Sequence, residues 1–130
     1  MRPPRIAQQG RSRRAAGRTG GASGALVTAA TASYVLNCAW GTAVAVRIIR
    51  TRRLRLVHHA LFVSTASLTV AAVAAPLWTR SRASLFLLPA LVPLALAPRV
   101  DARSRAHWSV AIAAAPSYLG AMLGLCRKER

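Results

Sequence analysis

"LVHHALFVSTASLTVAAVAAPLWT", residues 56–79, runs for 24 residues without a charged side chain, and its reading decides the fold. About 20 apolar residues in a helix, rising 1.5 Å each, cross the ~30 Å hydrocarbon core of a bilayer. A helix of that length in a soluble bundle needs a polar or charged outer face instead. Here the polar interruptions are scattered Ser and Thr and two adjacent histidines, so no face is left for water.

Working outward, three further uncharged runs appear at 25–46, 83–98 and 106–126, of 22, 16 and 21 residues. The chain is 54% hydrophobic yet carries a net charge of +17. The two properties coexist because they are segregated. The 18 Arg and one Lys cluster before residue 19, at 47–55, at 80–82, at 99–105 and at 127–130, and the only acids are Asp101 and Glu129. The expected fold is all-α: a membrane-embedded up-down bundle of four transmembrane helices joined by short basic loops. The third span is expected to be short and kinked, because Pro89, Pro93 and Pro98 remove backbone donors. As an α-helix its 16 residues would reach only about 24 Å.

The expected organisation is a disordered basic tail over 1–23, a transmembrane domain over 24–126 and a basic C-terminal tail over 127–130. The tail, "MRPPRIAQQGRSRRAAGRTGGAS", has no acid and almost nothing bulky to bury, so composition predicts disorder. An Arg-rich, acid-free segment suits a targeting presequence, a nucleic-acid contact or a tail lying on anionic lipid. No aromatic residue is interleaved for base stacking, which argues against nucleic acid and favours lipid. The same reasoning assigns Arg47, Arg50, Arg52, Arg53 and Arg55 to lipid headgroups. The Arg-for-Lys and Ala bias points to a GC-rich bacterial genome, hence a bacterial plasma membrane. Basic residues near span ends are almost balanced between the two faces. The first span usually dominates orientation, which puts both termini in the cytoplasm.

Lipid supplies little hydrophobic drive for helix association, so small residues must let backbones approach. The first span carries Ala29, Ser33, Asn37, Gly41 and Ala45 at spacing four. The second carries Ala60, Ser64, Ser67, Ala71 and Ala74, and the fourth carries Gly120-x-x-x-Gly124. These stripes mark the expected helix contacts. Asn37 is the one amide inside any span and must find a partner across helices or line a polar path. Cys38 lies deep in the first span and Cys126 ends the fourth, so their different depths argue against a disulfide between them.

His58, His59 and His107 share one membrane face, which raises the question of a metal site or axial haem ligation. If Ser67 marks the packing stripe, His59 flanks it and His58 points away, so His59 with His107 is the expected pair. The weight of the reading falls on interfacial histidines with polar tips among headgroups, and no cofactor is expected. Neither a nucleophile elbow, a zinc-protease motif, a P-loop nor a dinucleotide fingerprint is present. No Asp, Glu, Lys or Arg stands inside a run, which leaves few candidates for acid/base catalysis and no intramembrane carboxylate for coupled transport. The expected function is a small multi-pass membrane protein, a structural or accessory subunit that binds other membrane helices or copies of itself in a larger complex. Alternatives are a small oligomeric channel or transporter with a polar path at Asn37, or a haem- or metal-binding carrier using His59 and His107.

Overall fold

The computed structural model describes residues 5–46, 54–77, 82–100 and 104–128, and apart from Val46, Arg82, Val100 and Ser104 these are helical, without a strand. The α-helices are α1 (Arg5–Ala45), α2 (Leu54–Ala74), α3 (Leu91–Leu96) and α4 (Arg105–Lys128). Each of the four uncharged runs contributes one α-helix.

The third run is built differently from the others. A 3₁₀ segment over Ala83–Ala90 leads into α3 and a second 3₁₀ turn over Ala97–Arg99 follows, with Pro89 inside the first of these. Pro89 has no N–H to donate and its ring crowds the preceding turn, and the backbone around it closes i→i−3 bonds, such as that from the Leu91 N–H to the Leu88 carbonyl. A 3₁₀ helix rises about 2.0 Å per residue. Wound this way, Ala83–Arg99 reaches roughly 31 Å rather than the ~26 Å of an α-helix of equal length. The prolines lengthen the segment that composition made look short. Pro76 acts similarly at the end of α2, which closes in a 3₁₀ turn over Ala75–Leu77.

At the N-terminus the structure departs from the expected tail over 1–23, because α1 begins at Arg5. The tail has little apolar surface to bury, but a helix satisfies its backbone without burial. Once the apolar part of α1 is nucleated, propagation costs little. Ala7, Gln8, Gln9, Ala15, Ala16 and the arginines are good helix formers, which offsets the roughly 1 kcal/mol cost of each glycine.

Helix directions follow from matched contacts. Thr69 meets Tyr118, and His58 meets His107 eleven residues earlier on both helices, so α2 and α4 run parallel. Gly24 lies against Leu125 while Tyr34 reaches Ala111, so α1 is antiparallel to α4. α1 packs mainly on α2, and α4 mainly on the 3₁₀ segment at Ala83–Ala90.

The core is made of small residues and one large ring: Ala30, Ala72, Ala90, Ala114 and Ala121 around Val27, Leu87 and Tyr118. Ser23, Thr65, Thr69 and Ser84 are fully buried beside them. Eighteen bulky apolar side chains among the described residues face outward, with Leu56 77% and Leu77 80% exposed. In a soluble protein large aliphatic side chains are mostly buried; here most of them face outward.

Candidate functional site: a hydroxyl row and a histidine pair

The inward face of α2 is set by Thr65, Leu68, Thr69 and Ala72. Each threonine hydroxyl bonds back to its own helix, Thr65 Oγ1 to the Leu61 carbonyl at 2.8 Å and Thr69 Oγ1 to the Thr65 carbonyl at 2.7 Å. A hydroxyl has one hydrogen to give. Ser33 must therefore donate to Thr65 Oγ1 across 2.9 Å, and Tyr118 must donate to Thr69 Oγ1 across 2.7 Å. Tyr118 stacks on Tyr34 with ring centroids 4.3 Å apart and planes 11° from parallel.

Tyr34 completes the row by donating its hydroxyl to the Ala111 carbonyl on α4 at 2.7 Å. Pro116 lies in the next turn of α4 and withdraws the N–H that the neighbouring Ile112 carbonyl would use. Three helices are thus joined by side-chain hydrogen bonds whose hydrogens all run, directly or through one hydroxyl, toward backbone carbonyls. Thr31 and Thr42 also bond back to their own helix, onto the Val27 and Cys38 carbonyls.

At the end of the bundle where α2 and α4 begin, His58 and His107 face each other with centroids 6.1 Å apart and planes tilted 57°. This corrects the expected pairing of His59 with His107. The expectation took the stripe through Ser64 and Ser67 as the packing face, but both serines are exposed. The packing face runs through Thr65, seven residues after His58, so at 100° per residue the two share an azimuth to within about 20°. His59 falls outside it and is exposed. The α4 end is held by Ser104, whose Oγ accepts the His107 backbone N–H at 3.2 Å as a helix cap.

Other residues singled out from the sequence scatter. Ser33 is used, in the bond to Thr65. Gly120 and Gly124 form a groove for the third segment: a Cβ at Gly120 would lie 3.4 Å from the Phe86 ring, and one at Gly124 only 3.2 Å from Ala83 Cβ. Gly41 has nothing within 4 Å of its would-be Cβ. Asn37 Oδ1 is buried without a partner, as are Trp40 Nε1, His107 Nδ1 and Ser23 Oγ. Arg47, Arg50, Arg52 and Arg53 lie outside the described residues, and Arg55 is in the first turn of α2. Cys38 and Cys126 are free thiols. Among the described residues no three His, Cys, Asp or Glu side chains gather as a metal site.

Sequence reading missed Thr65, Thr69, Tyr34 and Tyr118. The available signal was the i, i+4 threonine pair, since such hydroxyls are cheap to bury when they can bond back to the preceding turn. No family model matches the chain, and neither a curated protein nor a solved structure matches it.

Proposed function

We propose that the chain is a small multi-pass integral membrane protein whose role is to associate with other membrane helices, as a structural or accessory subunit rather than as an enzyme. The observation that carries this reading is the outward placement of 18 large Val, Leu, Ile, Phe and Trp side chains over a core built mainly of alanines and four buried hydroxyls. The segments Leu56–Leu77 and Arg105–Arg127 are long and apolar enough to cross a membrane, and only 22% of each apolar window is buried inside the protein. The core helix of a soluble protein passes the same test of length and composition but is mostly buried, so this low burial favours lipid as the solvent.

The outer face of α2 supports a role in association. Ala60, Ser64 and Ser67 form a small-residue stripe that the fold leaves exposed, and such stripes are where membrane helices approach closely. On this reading four spans lie in a bacterial plasma membrane, both termini are cytoplasmic, and the basic segments contact anionic headgroups. Alkaline extraction of expressing cells tests the first step: the chain is expected in the pellet, and recovery as a folded monomer in detergent-free buffer overturns the reading. Purification in mild detergent tests the second, with a stoichiometric helical partner or a discrete homo-oligomer expected and a lone monomer counting against it.

A second reading, a polar path through an oligomer, draws on Asn37 Oδ1, buried without a partner. Ion or solute flux in liposomes that is lost on Asn37→Leu favours it, and absence of flux removes it.

A further inference from the structure

The end of the bundle where α2 and α4 begin holds polar atoms that the fold leaves unused. His107 Nδ1 is buried and makes no hydrogen bond, and Trp40 Nε1 and Asn37 Oδ1 share that condition. Helical register sets Trp40 of α1 level with His58 of α2. Ser33 touches Thr65, and one heptad onward on α1 and one heptad back on antiparallel α2 stand Trp40 and His58, each within about 20° of the starting azimuth. Buried polar atoms in native proteins are nearly always partnered. An unpartnered nitrogen on one of two facing imidazoles leaves that nitrogen available to a ligand.

We propose that His58 and His107 form a two-coordinate site for a soft monovalent metal ion, Cu(I), between the first turns of α2 and α4. An ion held in line between two imidazole nitrogens at about 2.0 Å from each sets ring centroids roughly 6 Å apart, and the observed separation is 6.1 Å. The charge of the ion follows from the surroundings. No carboxylate or thiolate joins the two histidines among the described residues. The N-terminal ends of two helices and the neighbouring Arg105 contribute positive potential. That environment penalises a divalent ion more than a monovalent one, and neutral imidazole is a suitable donor for copper. His107 is pre-positioned by the Ser104 cap on its backbone. The inference goes beyond the proposed role in helix association and does not depend on it.

The test uses the full-length chain carrying Cys38→Ala and Cys126→Ala, which removes competing thiols, with an affinity tag that contains no histidine. Anaerobic titration with Cu(I) against a chromophoric Cu(I) chelator is expected to give one ion per chain, with X-ray absorption showing two nitrogen neighbours. His58→Ala and His107→Ala are each expected to weaken binding at least tenfold, while His59→Ala leaves it unchanged. Should an alanine variant lose helicity by circular dichroism, His58→Gln, polar and of similar size but without imidazole, gives the same reading. Binding that survives loss of either histidine, a preference for Zn(II), or no retention of Cu(I) against the chelator overturns the proposal.

Discussion

Tyr118 donates its hydroxyl hydrogen to Thr69 Oγ1 across 2.7 Å, because Thr69 has committed its own hydrogen to the Thr65 carbonyl. The donor is fixed by stoichiometry, which makes the consequences of substitution specific. Tyr118→Phe removes the donor but keeps the ring stacked on Tyr34, and interhelical hydrogen bonds in membrane proteins average about 0.6 kcal/mol, with a maximum of ~1.7. Tyr118→Ala removes the one large core ring as well, which costs roughly 3–5 kcal/mol. Unfolding in detergent should separate the two variants in that order. Equal losses would mean that the hydroxyl, not the ring, holds the three helices.

The glycines of α4 should respond unequally. A Cβ at Gly124 would come within 3.2 Å of Ala83 Cβ and 3.4 Å of its Cα, and that backbone cannot turn aside. Gly124→Ala is expected to destabilise by about 1–3 kcal/mol through overpacking. At Gly120 the obstacle is the half-exposed Phe86 ring, so Gly120→Ala should cost less. Gly41→Ala meets nothing within 4 Å and should stabilise by up to about 1 kcal/mol through helix propensity. Thermal unfolding of the three variants checks the ranking.

Ser104→Ala removes the side-chain acceptor for the His107 N–H and is expected to cost about 1 kcal/mol, the usual worth of an N-cap. Ser104→Asp should restore stability, since a carboxylate also caps and complements the helix dipole. Amide exchange at the first turn of α4 is the local readout, with faster exchange in the alanine variant and recovery in the aspartate variant.

The exposed stripe of α2 yields a test of association that leaves the fold alone. Ser64→Leu with Ser67→Leu places bulky side chains on two exposed positions. Helix content and unfolding temperature should be unchanged, while native mass spectrometry from detergent should show the partner or second copy lost. A complex that survives both leucines would locate the contact elsewhere.

How much of this was legible before folding can be judged residue by residue. Four apolar runs, their basic boundaries and the glycine pair Gly120 and Gly124 are all visible in the string of letters, because charge exclusion and backbone approach depend on residue type alone. The identity of the inward face is not visible in α2. Its serine stripe and its threonine stripe are both small and both regularly spaced, and only contact with Ser33 and Tyr118 selects the threonines. His58 replaces His59 in the pair for the same reason, since a rotation of 100° about one helix axis exchanges them.

The sequence by itself determined that the chain is all helical, in four segments punctuated by arginine and proline, since helix formation and the exclusion of charge from apolar runs are local matters. The tertiary structure alone decided which hydroxyls are buried, which histidine meets His107 and how far the proline-rich third segment reaches. The first two outcomes depend on rotation about each axis, which neighbouring helices set, and the third on the pitch that the backbone adopts around its prolines.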